Sequence, residues 1–369
     1  MIQRVSQMKA WILPFLLLFS SLNADWTDKI TFNGYFNFEF EEHIKGDEHW
    51  RSDEHSSFDS DMFDLVLNVQ PTDRLRLAVD FTWEHGSQSE VDKGNVGYEY
   101  AFAEYTLSDK IKVRAGKMFT PFGIYNEIHT AKPSIIILKE PNPTNKMYFI
   151  SSDKYEQTLL YPRWGSGLAL LGNDTVFGMS YDYIFQVTNG DLSYGVDENE
   201  YDKDDNDQKA VTARIRVDVT DDLQIGASTY YDKMVNYDAN DSAIGNMTVN
   251  SQGLQLIWHI TDDLRFEAEY MSGTLDVEGI KKFRRCGYSV LPSYFINDKV
   301  NLFFLFAQAD PNRNVDEDSV INYAPGINIE LDDNMYLKVD YYNVVSQDNN
   351  SLFAGKSYSE IRAALAIGF

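Results

Sequence analysis

One cysteine, Cys286, is all that 369 residues contain, so no internal disulfide framework holds this chain together. Long apolar runs are missing as well. Beyond the N-terminal segment no stretch approaches the roughly 20 residues of a membrane-spanning helix, which excludes a helical membrane protein. Basic residues are scarce, 32 Lys and Arg against 57 Asp and Glu. That deficit argues against nucleic acid as a partner, because phosphate binding needs a basic face. No Gly-x-Ser-x-Gly element is present, and His85, His129 and His259 have no evident catalytic partner, so the sequence reads as non-enzymatic. Helical periodicity is almost absent.

What is present begins with an address. Arg4 and Lys9 precede an apolar run, Ala10 to Phe19 (AWILPFLLLF), and a short stretch ending at Ala24. This layout predicts a secretory signal peptide cleaved after Ala24, leaving 25–369 as one folded unit. Strand one is expected to start almost at that mature N-terminus, which leaves no room for the plug of an energised transporter.

The rest alternates with period two, the signature of strands. After Pro71-Thr72-Asp73, the residues Leu75, Leu77, Val79, Phe81 and Trp83 share a face; after Asp332-Asp333-Asn334, so do Met335, Leu337, Val339 and Tyr341. Seven tight turns are expected, near Thr72-Asp73, Ser108-Asp109, Gly172-Asn173, Asp221-Asp222, Asp262-Asp263, Asn297-Asp298 and Asp332-Asp333, where Asp, Asn and Gly tolerate turn geometry. With a first strand at about 29–42 and a last at about 358–369, the total is sixteen. Short turns alternate with long, polar, acidic connections, the asymmetry of an outer-membrane barrel. The fold class expected is therefore all-β: a transmembrane, antiparallel, up-and-down barrel of the outer membrane.

Aromatic residues recur seven to ten positions after the turns, at Phe81, Trp83, Phe119, Tyr230, Tyr231, Tyr270, Phe306, Tyr341 and Tyr342. At about 3.3 Å per residue this spacing reaches the far edge of an apolar band roughly 25 Å tall, where aromatic side chains favour the interface. Core packing is the alternative explanation.

Charged residues fall on the opposite face, since lipid contact penalises them. Arg74, Arg76 and Asp80 do so, as do Lys112 and Arg114, Arg214 and Arg216, Arg265, Glu267 and Glu269, Lys338 and Asp340, and Arg362. Lys117 breaks the pattern, and a bulge near Gly116 would restore it. An inner face so charged predicts a water-filled interior, because unpaired buried charge is prohibitive. A channel for passive diffusion of small hydrophilic solutes or ions is one function this predicts. A non-conducting adhesin or structural barrel with acidic surface loops is the other.

The third long connection, about 120–157, differs from the rest. It carries Ile135-Ile136-Ile137-Leu138 and Met147-Tyr148-Phe149-Ile150, more apolar surface than a solvated loop supports. We expect it to fold into the lumen as a constriction, with Glu127 or Glu140 facing a basic wall of Arg74, Arg76, Lys112 and Arg114. A cap on the outside of the barrel, or a subunit contact, is the other role open to it.

The segment Arg114-Ala115-Gly116-Lys117-Met118-Phe119-Thr120-Pro121-Phe122-Gly123, continuing through Tyr125-Asn126-Glu127, resembles the strand-to-loop segment of sixteen-stranded Gram-negative porins and is most similar to their phosphate-selective group. The resemblance implies a homotrimer, a constricting third loop and passive diffusion. Phosphate selectivity does not follow, since this loop is charge-balanced. The terminal strand, ending on Phe369, likewise resembles the C-terminal signature of outer-membrane proteins, and outer-membrane lipid and lipopolysaccharide are the surroundings implied.

Two loops invite a metal. His43, His49 and His55 each follow an acid-Glu pair at six-residue spacing, a weak surface site for zinc, copper or nickel. The acidic stretch 197–207 lacks the glycine spacing of a calcium loop. No cofactor is expected.

Overall fold

The computed structural model describes residues 28–46, 56–84, 96–141, 144, 160–190, 207–237, 243–279, 281–349 and 355–369. The signal segment, His49, His55, the stretch 145–150 and most of the acidic loop 197–207 lie outside them. The strands are β1 Ile30–Gly46, β2 Ser57–Thr72, β3 Leu75–Glu84, β4 Gly97–Ser108, β5 Ile111–Phe119, β6 Trp164–Val176, β7 Met179–Thr188 and β8 Ala210–Thr220. There follow β9 Leu223–Tyr237, β10 Ala243–Thr261, β11 Leu264–Val277, β12 Lys281–Asn297, β13 Val300–Asp310, β14 Val320–Asp332, β15 Met335–Ser346 and β16 Ser357–Gly368. Each pairs antiparallel with its neighbours in sequence, and β1 pairs with β16, closing the sixteen into one barrel. Closure satisfies every strand edge, as hydrocarbon requires.

Alternation decides what faces where. On β13, Phe303, Leu305, Ala307 and Ala309 are buried while Leu302 and Phe304 are exposed. On β3, Asp80 and Thr82 are buried and Leu77 is exposed. A surface that exposes Leu168, Leu170, Leu254, Tyr270 and Ile361 and buries Arg, Asp and Glu is inverted relative to a soluble protein, and it matches lipid outside.

Six of the seven expected turns fall where the sequence places them. The exception is the β6–β7 turn. Gly172 and Asn173 sit inside β6, opposite Tyr183 and Asp182, and the chain reverses at Phe177 and Gly178. Their φ values of 53° and 80° make the positive-φ pair that a two-residue hairpin turn demands. Phe177 hides this turn from a reading based on Asp, Asn and Gly.

Lys117 is also a correction. It pairs with Ala101 on β4 and Ser166 on β6 with no register shift at Gly116, so no bulge moves it inward. Its ammonium lies 4.8 Å from the ring centroids of Tyr98 and of Trp164 and donates to the Tyr98 carbonyl at 2.6 Å. Near the end of β5 its stem covers apolar surface while its charge reaches an aromatic rim. Of the expected aromatic girdle, Tyr231, Tyr270 and Tyr341 are exposed, but Tyr230, Tyr342 and Phe119 are buried. Tyr230 and Tyr342 have the inward parity of their strands. Core packing accounts for them.

The interior is not uniformly wet. Several inward positions on β11–β15, among them Met271, Leu275, Phe283, Leu305 and Val344, are apolar and fully buried. They form one cluster with Phe122, Tyr125, Ile135, Ile137 and Leu138 of the third loop. One side of the barrel is thus closely packed between wall and loop, with polar anchors such as Glu267, Glu269 and Lys338 set among the apolar contacts.

Candidate functional site

After Phe119 the chain leaves the wall and enters the barrel. The Thr120 amide bonds the Arg163 carbonyl at 2.9 Å, and the Asn126 side-chain amide donates to the carbonyls of both Thr120 and Arg163, at 2.7 and 3.0 Å. These bonds pin the two ends of the loop together. Gly123, at φ +66°, makes the turn that sends Phe122 and Tyr125 toward the far wall. Phe122 stacks on Tyr161 with centroids 4.2 Å apart. Beneath it lies Gly253 of β10, where a methyl group would stand 2.8 Å from the Phe122 ring. The wall is notched to receive the loop.

Polar anchors fix the loop to many strands. The Ile124 amide bonds Glu269, and the Tyr125 hydroxyl donates to Glu267 at 2.8 Å, both on β11. Glu127 pairs with Arg214 on β8. His129 lies 3.5 Å from Glu99 on β4, which also accepts from the Trp164 indole at 2.8 Å. The Lys338 ammonium on β15 is bonded to the loop carbonyls of Lys132, Ile135 and Ile137, and Asn328 on β14 reaches Ile136. Lys139 pairs with Glu41 on β1. The short 3-10 turn Lys132–Ser134 packs against β1 and β16.

Glu140 and Arg163 close the circuit at 3.0 Å. Burial alone would raise the Glu140 carboxyl, but Arg163, then His129 and Lys132, outweigh it and hold it at about 2. Burial and then Arg163 push the His129 imidazole down, against the pull of Glu99 and Glu140.

The expected basic wall is differently placed. Arg76 donates twice to Asn68, at 3.1 and 2.7 Å, and Arg114 pairs with Glu104 at 2.7 Å. Lys112 lies 3.6 Å from the same carboxylate. Arg74 is exposed at the β2–β3 turn. Neither Glu127 nor Glu140 faces these groups; their partners are Arg214 and Arg163. Elsewhere, Arg216 pairs with Asp182 at 2.9 Å, Arg265 with Glu267 at 2.8 Å, and Arg362 with Asp340 at 2.6 Å. Of the three histidines considered for metal, only His43 is described, opposite Glu360 on the inner face. Among the described residues no three His, Cys, Asp or Glu groups are set to hold a metal ion.

Sequence reading missed several members of this site: Glu99, Glu104, Asp182, Arg163 and the glycine notch. Glu104 was legible as the inward continuation of Tyr100 and Phe102. The apolar packing under the loop had a signal too, since Leu302 to Ala307 is apolar on both faces.

Scanned against protein-family models the chain matches none, and no curated protein sequence matches it. Solved structures do match. The anion-selective porin from Comamonas acidovorans superposes with a TM-score of 0.64 at 9% identity, covering 92% of this chain and 99% of that one. The outer membrane channel DcaP of Acinetobacter baumannii gives 0.61 at 11%, covering 92% and 97%. The trimer form of OmpT, an outer membrane protein of Vibrio cholerae, gives 0.56 at 13%, covering 92% and 99%. At such identities the likeness is one of architecture, and the chain has the sixteen-stranded barrel fold of outer-membrane proteins.

Proposed function

We propose that this chain is a Gram-negative outer-membrane porin: a water-filled channel for passive diffusion of small hydrophilic solutes or ions, exported by a signal peptide cleaved after Ala24. The observation that carries the reading is the inner wall of β5–β8. Its ion pair Arg216–Asp182 leaves each side chain 34% exposed, and Lys112 is 39% exposed. Charges turned inward and still solvated require water inside the barrel. The porins and the channel among the structural neighbours support the same reading, and the trimer form of one of them supports a homotrimer. Phosphate selectivity is left out of it, because the basic groups near the loop already hold acceptors.

The test is to refold residues 25–369 in detergent and record currents across a planar bilayer. Discrete, long-lived openings are expected. A correctly folded barrel that stays silent would overturn the channel reading.

One observation favours a second reading, a non-conducting adhesin or structural barrel. The loop is bonded to β1, β4, β8, β11, β14 and β15, and its apolar residues pack against one side of the barrel wall. On that reading wild type is silent, and only variants that release the loop conduct.

A further inference from the structure

The outward face of the barrel is dented on β8–β12. Its outward positions stand in register there: Ile215 opposite Ala227, Ala227 opposite Leu254, Leu254 opposite Tyr270, and Tyr270 opposite Tyr288. Ala227 is a single methyl group between two bulky neighbours, and Ala268 lies one pleat from Tyr270 on the same face. The result is an apolar groove of about 460 Å³ on the outside of the barrel. Tyr270 and Tyr288 border it, both exposed, and the Tyr288 hydroxyl donates to Gln308 at 3.0 Å, which holds that ring at one depth. Tyrosines with a polar handle mark the edge of an apolar band. Beyond them the same face turns polar, with Ser272 and Thr274 on β11 opposite Cys286 and Arg284 on β12.

Cations gather at that edge. Arg284 is exposed, on the same face as Tyr288 and nearer the strand end, and its side chain has no ion pair or hydrogen bond among the described residues. Next along the face, Lys282 lies 3.7 Å from Asp276 in a pair whose side chains are 55% and 53% exposed. The connection after β13 brings a third. The Arg313 amide bonds the Arg284 carbonyl at 2.7 Å, and the Asn314 side chain donates to the Lys282 carbonyl at 3.0 Å. Arg313 is exposed there, within electrostatic range of Cys286 and Asp310, which face each other across β12 and β13. Two loosely held bases thus flank one that holds no acceptor, in a chain where acids outnumber bases 57 to 32.

A guanidinium meets phosphate oxygens through two parallel hydrogen bonds, and an apolar groove below the aromatic edge is filled by hydrocarbon. We infer that Arg284, flanked by Lys282 and Arg313, holds the phosphate headgroup of an outer-leaflet lipid whose acyl chain lies in the groove over Ala227 and Ala268. The four residues of strand from Tyr288 to Arg284 span about 13 Å, a gap that one lipid bridges with its headgroup above and its chain below. The inference rests on the outer-membrane reading and names a site for a partner on the outer surface; it needs no open pore.

The test titrates the refolded barrel, in neutral detergent, with lipid A carrying its phosphates and with the same lipid after their removal, and counts bound lipid by native mass spectrometry. Wild type should hold the phosphorylated form more tightly. Arg284→Gln should weaken that binding about tenfold, as loss of a charge-assisted contact implies, and narrow the preference. Ala268→Phe fills the groove and should weaken both forms alike. Each variant is checked for folding by its heat-dependent electrophoretic mobility, and Arg284→Gln, near an exposed strand end, keeps the test decisive if Ala268→Phe fails to fold. Equal binding of the two lipids by wild type, or unchanged binding in Arg284→Gln, overturns the inference. An oligomer that dissociates in Ala268→Phe while lipid binding persists gives the groove to a second copy and overturns it too. Preferential binding by a barrel that stays silent in the bilayer keeps the lipid site and overturns only the channel.

Discussion

Lys338 carries the loop on one ammonium. It is fully buried and surrounded by the carbonyls of Lys132, Ile135 and Ile137, so the bonds that satisfy the lysine also fix the loop backbone. Replacing it with Met leaves buried carbonyls without donors, a cost of about 1–3 kcal/mol. We expect Lys338→Met to lower the midpoint of thermal unfolding and to give larger, noisier conductance steps. Acid should act at a second anchor. Glu140 is held at about 2 in the folded barrel against an ordinary value of 4.5. A lowered carboxyl contributes stability that is complete above 4.5 and is lost as pH falls toward 2. Loop release, read as a change in step size, should therefore set in across that window, and Glu140→Gln should abolish the pH dependence there. None of these pairings was legible in the sequence. Glu127 and Arg214 are 87 positions apart, and Lys338 and Ile135 are 203. Period-two parity tells which wall position is inward but not what meets it there.

At the scale of elements, strands and turns were legible because the rule that makes them is local. Asp-rich turns, alternation and even strand number all follow from neighbours in sequence. The β6–β7 turn escaped because Phe177 occupies a position that asks only for positive φ. Tyr230 and Tyr342 were misassigned because distance from a turn was weighed above parity. The third loop was recognised as inward from its apolar runs, while the notch that receives it was not. That notch gives a prediction. Gly253→Leu puts a side chain where the Phe122 ring now sits, 2.8 Å from the position of a first added carbon. We expect the loop to shift off β10, with increased single-channel conductance and faster cleavage of the loop by added protease. Unaltered conductance and protection would show that the Phe122 contact does not position the loop.

For the molecule as a whole, charge and architecture were read correctly in outline and wrongly in distribution. The charged inner face of the strands suggested a water-filled lumen with a basic wall of Arg74, Arg76, Lys112 and Arg114 opposite the loop. Instead most of the inward arginines, Arg114, Arg214, Arg216, Arg265 and Arg362 among them, are paired with carboxylates, and one side of the interior is packed by the loop. Closure itself depends on a small residue. Gly34 of β1 exchanges two backbone hydrogen bonds with Phe369, at 2.8 and 3.0 Å, and a methyl group at Gly34 would lie 2.3 Å from the Phe369 ring. Gly34→Val should reduce the fraction of refolded protein with the compact electrophoretic mobility of a closed barrel, while deletion of the terminal Phe369 removes the clash and the seam bonds together.

That seam joins the beginning of the folded chain to its end. Every other pairing joins strands that are neighbours in sequence, whereas the second edge of β1 must wait for β16. Until β16 has been made, each growing chain carries an open edge at both sides, the arrangement most prone to pair with a stranger. A prematurely terminated copy is therefore never a smaller barrel. It is an unsealed sheet, and the cell that makes it needs an escort for the whole transit and a protease for the failures.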